Sequence, residues 1–573
     1  MPGFSLAYGS SGAAASGTLF DDGTCRIEAL ETLRDPLVRQ ENDDAFALID
    51  GRVYGASDQS LLAETLQAPS DTAAWAKRLQ ERDGEFIALL YEKRTRRLHL
   101  VPDALGRLPF YVRVLDGVVR AAREPSRVIA GQPVTPDSLG LAQLLLFGFA
   151  IGTRTLAQGV SVPPAGSRLI VDADGHRFVP SDWPLDLEHQ ERRPVGLREA
   201  GRELADRFVH ACEARARATG PIVVALSGGL DSRAVAAALA RARLPFRAFT
   251  YVDPRGVYAH EATVARRVSE IVGAPWTLFT PPTPRGRSLA RLLDWKLGLN
   301  ALGMAGSLDL LEAVSQAYGP DLGLWTGEGG DKVLPDLRAP IRGSTDAVVS
   351  YLLDKQAIWT PEEVARLTGV SRADLAASVA EVIESYPERS APYRVARFLF
   401  SERGRRWLYE GEDRNRHQVW TVAPFYARDF VRRALAVPDA HKAGYGLYRF
   451  FLRSLHRGVT GVPDANLGVA PDALHYVLLR RLREASRRFP SFVRWLKKRG
   501  AARREPTDEP RRRLLDRLAA QSPSVRAAFS PEALRAAEAS SPAALDLLFT
   551  AACAVEEMVE GKSALDEWAE EVF

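Results

Sequence analysis

A chain of 573 residues, 46% hydrophobic and 26% charged, is too long for one ordinary domain and is composed like a soluble globular protein with two or three cores to bury. Its formal net charge of +4 is too small for its size to support a chain-wide nucleic-acid or membrane-surface role. The charge is uneven, because Arg480 to Arg513 holds 14 Lys or Arg against 4 Asp or Glu, a local +10 that leaves −6 elsewhere.

In chain order, the first 185 residues read as β-rich. The short runs Ala45–Ile49, Phe86–Tyr91, Leu98–Val101 and Phe110–Val114 are punctuated by Asp50-Gly51, Asp83-Gly84 and Asp116-Gly117, dipeptides that favour turns. Two packed antiparallel sheets account for that pattern. The longest apolar run, Leu139 to Ile151, is broken by Gln143 and is shorter than the roughly 20 residues a membrane span needs. Residues 186–195 are charged and contain proline, as a linker does. Beyond them the text alternates. A helix is expected over Arg198–Thr219, with Leu204, Phe208, Ala211 and Cys212 on one face. Then come a strand over Ile222–Leu226, a helix over Ser232–Arg243, a strand over Phe246–Val252, a helix over His260–Val272, and strands over Trp276–Phe279 and Leu322–Trp325. Such alternation implies a parallel sheet covered on both faces. After Ser344 the pattern is mostly helical. Three widely spaced cysteines, Cys25, Cys212 and Cys553, favour neither a disulfide framework nor a zinc site. With no secretory signal or membrane span read, a cytoplasmic protein is expected.

The chemistry-bearing segment is Leu226-Ser227-Gly228-Gly229-Leu230-Asp231-Ser232, set between a strand and a helix. Glycines let a backbone approach phosphate oxygens, and a helix N-terminus offers unpaired N–H groups and a positive dipole end. Ser227 and Ser232 add hydroxyls. Asp231 would repel a bare polyphosphate, so it makes sense as a ligand for Mg²⁺ bridging the phosphates. The Gly-Lys-Ser/Thr of a Walker A loop is missing. A plain Gly-Gly turn with Ser and Asp caps is the competing explanation, and six such residues between strand and helix disfavour it.

Ser-Gly-Gly-x-Asp-Ser after a strand resembles the pyrophosphate loop of N-type ATP pyrophosphatases. Glu261-Ala262 through Ala265 and Gly273 is similar to that family's next helix. Thr326-Gly327-Glu328-Gly329-Gly330-Asp331 resembles the acidic loop of asparagine synthetases. Asp83-Gly84-Glu85-Phe86, Asp103 through Tyr111, and Gly152 through Gly166 resemble stretches of that enzyme's glutaminase domain. Ala423-Pro424-Phe425 and Gly446-Leu447-Tyr448-Arg449 are weaker matches. The resemblance implies an α/β chain in two parts. Residues 1–185 would be a degenerate class II glutamine amidotransferase-like domain, an Ntn-type antiparallel β-sandwich. Residues 196–573 would be an asparagine synthetase-like ATP-pyrophosphatase domain, a parallel α/β fold of the adenine-nucleotide α-hydrolase kind with a helical C-terminal part. It further implies that ATP and Mg²⁺ are cofactors, with Asp231 and Asp331 holding the metal. Leu226, Ser227, Gly228, Gly229, Asp231, Ser232 and Gly327 would bind ATP and pyrophosphate, and Glu328 would be the catalytic base.

Departures from the pattern narrow the expectation. Glutamine-dependent members carry a cysteine after the initiator methionine, where this sequence has Pro2, and an Asn-Gly pair where it has Asp50-Gly51. Without a glutaminase, the amine must come from the substrate. β-Lactam synthetases and the macrolactam synthetases that close lasso peptides work in that way. The lasso-type reading is favoured by the helical, Arg-rich C-terminal part and the aromatic cluster Tyr445–Phe451, although core packing and a solvated helix face explain those features too. It would bring a precursor peptide as substrate and a leader-binding protein and leader peptidase as companions, with no nucleic acid. A β-lactam-type or other small-molecule synthetase, and a non-catalytic scaffold, remain as alternatives. Lys332 replaces the glutamate that follows the loop aspartate in asparagine synthetases. The relatives' later charge-stabilising lysine has no counterpart between Leu455 and Gly468, where only Arg457 is cationic in that sense, and Lys442 is the nearest upstream lysine.

Overall fold

A computed structural model describes residues 3–9, 17–30, 37–68, 71–129, 132, 134–181, 186–188, 192, 194–252, 259–335, 343–486, 509–536, 541–561 and 565–572. Pro2, residues 189–191 and 193 of the proposed linker, and the interior of the basic segment, 487–508, lie outside the described residues.

Two six-stranded antiparallel sheets occupy residues 4–179. One orders the strands Val160–Ser161, Tyr111–Leu115, Val118–Ala122, Phe4–Tyr8, Cys25–Ala29 and Thr18–Asp21. The other orders Gly175–Val179, Arg168–Asp172, Arg97–Pro102, Asp83–Glu92, Ala45–Tyr54 and Leu37–Glu41. Phe4, Leu6, Ile27 and Val112 of the first meet Phe46, Leu48, Leu89 and Leu100 of the second in a shared core. On the outer face of the second sheet, Ala47, Ile49, Ala88 and Leu90 pack beneath helices Asp58–Leu66 and Thr72–Gln80. Burial on both faces is why these strands read as continuous apolar runs rather than alternating ones.

Two of the three Asp-Gly turns are corrected. Asp116-Gly117 does join two strands, but Asp50-Gly51 lies inside Ala45–Tyr54 and Asp83-Gly84 opens Asp83–Glu92. There, Asp50 faces Ile87 and Gly51 faces Phe86 in the ladder. Gly51 is needed for space: a Cβ on it would sit 2.2 Å from the Glu85 carbonyl oxygen, and its φ is +99°. Four helices also interrupt the β-rich reading, and three of them are N-capped by short polar side chains, Ser57, Asp71 and Asp137.

The parallel sheet orders Trp276–Phe279, Phe246–Tyr251, Ile222–Ala225, Gly323–Trp325 and Trp420–Val422. Helices Leu197–Ala218, Leu230–Arg241 and Ala259–Val272 fall within one or two residues of expectation, and Leu204, Phe208, Ala211 and Cys212 are buried. The fifth strand, only three residues long, carries no periodic signal and was not expected. From the central strand the chain builds outward in one direction, then returns to add Gly323–Trp325 and Trp420–Val422 on the other side. In an open sheet the crevice outside the carboxyl ends at such a reversal is the usual ligand site.

The cores do not respect the division between sheets. Helix Pro542–Glu560 packs Leu545, Leu548, Phe549 and Ala552 into the same apolar cluster as Leu141, Leu144 and Leu145 of helix Ser138–Phe147. No helix among the described residues is long and apolar enough to cross a membrane.

Candidate functional site

The sheet's reversal places two loops side by side: residues 226–229, leaving Ile222–Ala225, and residues 326–329, leaving Gly323–Trp325. Leu226 anchors the first from below. Its side chain is buried, its N–H donates to the Phe249 carbonyl (2.8 Å), and its carbonyl accepts from Thr250 Oγ1 (2.6 Å). Ser227 N–H donates to Ser232 Oγ (3.0 Å), the two serine hydroxyls are 2.9 Å apart, and Gly229 N–H points to Ser227 Oγ (3.3 Å). Gly229 caps helix Leu230–Arg241 without a side-chain acceptor, so first-turn N–H groups stay available to an anion. The helix starts two residues earlier than expected, which brings Asp231 and Ser232 into its first turn. Gly228 is pinned from outside: Arg233 is buried and donates to the carbonyls of Gly228, Val459, Val462 and Pro463.

The two loops touch through glycine. A Cβ on Gly327 would lie 2.2 Å from Ser232 N, and one on Gly330 would lie 2.4 Å from Asp231 Oδ1. Gly327→Ala should therefore force the loops apart, costing about 2 kcal/mol or more in stability and depressing any reaction that needs both; an unchanged melting temperature and turnover would show that the loops tolerate separation.

This contact brings Asp231 and Asp331 together, with Asp331 backbone N–H bonded to the Asp231 carboxylate. Asp231 Oδ1 also accepts from the buried Tyr448 hydroxyl (2.5 Å). Burial, reinforced by the Asp331 charge, holds the Asp231 carboxyl well above the usual carboxylate range. Asp331 is half-exposed and pairs with Lys332. Among the described residues no group of three or more His, Cys, Asp or Glu side chains could by itself hold a metal. Two adjoining carboxylates, one buried and one open to the crevice, do fit Mg²⁺ bound jointly by protein and polyphosphate, since this ion commonly takes one or two carboxylates and completes its shell from substrate.

Glu328 stands on the same loop, on the wall of a cavity of about 90 Å³ lined also by Asn300, Met304, Trp407, Glu412 and Arg414. Burial, then the charges of Glu412, Asp331 and Asp231, push its carboxyl up to about 7. Burial also lowers Arg414 to about 10, opposed by the attraction of Glu328. A carboxyl poised near neutrality beside a buried cation suits proton transfer.

Sequence reading missed Tyr448 as a neighbour of Asp231, and Glu412 and Arg414 as neighbours of Glu328. Tyr448 lay within Gly446–Arg449, the weaker of the matched stretches, and nothing local marks the other two. In the aromatic cluster, Phe451 packs on Phe208, Phe425 and Phe430, so core packing accounts for that ring. Lys442 is not placed at the loops: its buried ammonium bonds the Leu435 carbonyl (2.9 Å) and Asp439 (3.4 Å). Arg457 is exposed. At the ends of the basic segment, the Arg480 guanidinium lies 3.2 Å from the Tyr445 ring centroid and Arg513 pairs with Glu571.

Asp50 is buried and paired with Arg123, which also pairs with Asp413. All three cysteines are buried, and burial raises each thiol.

No curated protein matches the chain. Solved structures resemble it over part of its length, and two of them illustrate the likeness. A glutamine phosphoribosylpyrophosphate amidotransferase from B. subtilis, complexed with ADP and GMP, is 12% identical, with 48% of this chain and 59% of that one covered at a TM-score of 0.19. A structure described as the allosteric regulatory enzyme of purine biosynthesis is 12% identical, covering 49% and 75% at 0.18. The chain thus spans 59% of the first structure's length, and superpositions this loose carry no argument about either fold or activity. A family model is more specific, since residues 203–281 match "Asparagine synthase". That stretch contains the Ser227–Ser232 loop and Glu261, whose carboxylate accepts from Gly228 N–H at 3.4 Å, and over it the chain is asparagine synthase-like.

Proposed function

We propose that the protein is an ATP-dependent macrolactam synthetase of the asparagine synthetase type, one that closes an isopeptide ring in a precursor peptide. The observation that carries this reading is the contact of the two loops at the sheet's reversal. It brings the N-terminus of helix Leu230–Arg241 and the Asp231–Asp331 pair up to the loop that carries Glu328. A side-chain carboxylate of Asp or Glu in the peptide attacks the α-phosphorus of ATP, and pyrophosphate leaves toward Ser227, Gly228, Gly229 and Ser232. Asp231 and Asp331 would hold Mg²⁺, which when bound would supply charge neutralisation for the departing phosphates. The N-terminal amine of the same peptide then attacks the acyl carbon, Glu328 takes its proton, and AMP departs. Holding both groups in one crevice replaces a bimolecular step by an intramolecular one.

An internal amine is favoured over glutamine-derived ammonia because every cysteine in this sequence is buried with its thiol raised, while a glutaminase nucleophile must be an accessible thiolate. Asp50, in the position of the Asn-Gly pair, is committed to Arg123. The same reading brings a leader-binding protein and a leader peptidase as companions. A small-molecule or β-lactam-type substrate is the second reading, favoured by a cavity of only about 90 Å³, which suits one side chain or one small amino acid. Retention of both Asp231 and Asp331 speaks against a non-catalytic scaffold.

Substrate-dependent ATP–pyrophosphate exchange separates these readings. A peptide with a free N-terminal amine and an internal Asp or Glu should support exchange and lose one water in mass. Exchange with a β-amino acid alone supports the second reading, exchange with aspartate alone rejects the cyclase, and exchange with none of them leaves the scaffold.

A further inference from the structure

The stretch Asp103–Tyr111 belongs to the antiparallel half, yet one of its side chains reaches Tyr409, Glu412 and Tyr426, far along the chain. Asp103 shapes the turn, accepting from Leu105 N–H (2.9 Å) and Arg107 N–H (2.8 Å). This projects Arg107 into the interior, where it is 1% exposed. Its guanidinium donates to Glu85 Oε1 (3.2 Å) on its own side and to Glu412 Oε2 (2.5 Å) across the junction. It also stacks on two aromatic rings, Tyr426 at 4.4 Å and Tyr409 at 4.9 Å.

Both far partners lead to the candidate site. Glu412 lines the cavity with Glu328. Only Arg107 and, at 3.5 Å, Arg416 bond Glu412 Oε2, while Oε1 has no hydrogen-bond partner among the described residues. Tyr426 lies under the acidic loop, so close that a Cβ on Gly329 would meet its ring at 2.5 Å. Gly329, with φ +90°, sits between Glu328 and Gly330.

We propose that Arg107 is a positioning residue for the amide-forming site: it holds Glu412 in the cavity wall beside Glu328 and clamps Tyr426 beneath the acidic loop. The antiparallel half, lacking a usable thiol, thereby still completes the synthetase site. A buried carboxylate is sustained only when paired, and without Arg107 Glu412 keeps only the longer contact from Arg416, at 3.5 Å, and loses its anchor in the cavity wall. A planar guanidinium that donates to two carboxylates while stacking between rings is not replaced by an ammonium, so Arg107→Lys should recover only part of the effect. The kinetic side of this proposal rests on the reading of Glu328 as the base; the structural coupling does not.

The test compares wild type, R107M and R107K as full-length folded protein by hydrogen–deuterium exchange, with pyrophosphate exchange and ring closure measured in parallel. In R107M, amide exchange across 326–331 and 409–415 should rise at least tenfold, and amide formation should fall more than tenfold with a smaller loss of adenylation. R107K should lie between R107M and wild type, and it carries the same comparison if R107M does not fold. Unchanged amide exchange in those segments, or unchanged kinetics per folded molecule, overturns the proposal. If wild-type protein adenylates no carboxylate, the functional reading fails, and the amide-exchange comparison still decides the role of Arg107.

Discussion

Asp231→Asn should abolish AMP formation while leaving the protein at least as stable as wild type. Metal-assisted charge stabilisation contributes several kcal/mol to such steps, and at about 1.4 kcal/mol per factor of ten its loss is on the order of 10³-fold. The stability effect follows from linkage. The Asp231 carboxyl titrates higher in the folded protein than in the unfolded chain, because of burial and the Asp331 charge. The folded state therefore holds the proton more tightly, and this site's contribution to stability is full below the unfolded value, near 4. It declines as pH rises toward the folded one. At pH 8 the ionised carboxylate is a net cost that asparagine removes, and the Tyr448 hydroxyl can still donate to the amide oxygen. Melting temperatures of the metal-free proteins at pH 5 and pH 8 should show the variant's advantage growing with pH. A melting point below wild type at pH 8 would assign Asp231 a structural role instead. Asp331→Ala should lose AMP formation to a similar degree with little change in melting temperature, because that side chain is half-exposed.

Glu328→Gln should separate the two half-reactions. Glutamine preserves shape but cannot accept the amine's proton, and a positioned base contributes about 10²–10⁴-fold. Ring closure should fall within that range while pyrophosphate exchange stays within a few-fold of wild type. Equal loss of both steps refutes a base role and points to a shared binding role. With the carboxyl pushed up to about 7, wild-type ring closure should rise with pH through that region, as the base loses its proton, and E328Q should lose the dependence. A bound nucleotide–metal complex that weakens the repulsion from Asp231 and Asp331 shifts the rise to lower pH, so the profile is best taken on the aminolysis of preformed adenylate.

Much of the parallel half was legible in the sequence because its signals are local. Leu204, Phe208 and Cys212 recur at helical spacing, Ile222–Ala225 is a short buried run, and Ser227–Ser232 names its own turn, so element type and order followed from neighbours in the chain. The same locality misled at Asp50-Gly51 and Asp83-Gly84. Their propensity is for turns, but close contact with the Glu85 and Arg52 carbonyls requires glycine within strands, and pairing across the sheet overrode the local preference. What only the tertiary structure decided is everything that depends on meetings between distant segments. The crossing order of five strands set Gly327 and Gly330 against Asp231 and Ser232. It brought Tyr448 to Asp231 across 217 positions, and Arg107 to Glu412 across 305. No short-range pattern encodes such pairs, because a buried charge needs only one partner of opposite sign at the right place in space. The Ser227–Ser232 loop, set between a strand and a helix, was thus readable as an element from its own residues. That it meets the loop carrying Glu328, through Gly327 against Ser232, follows from packing alone.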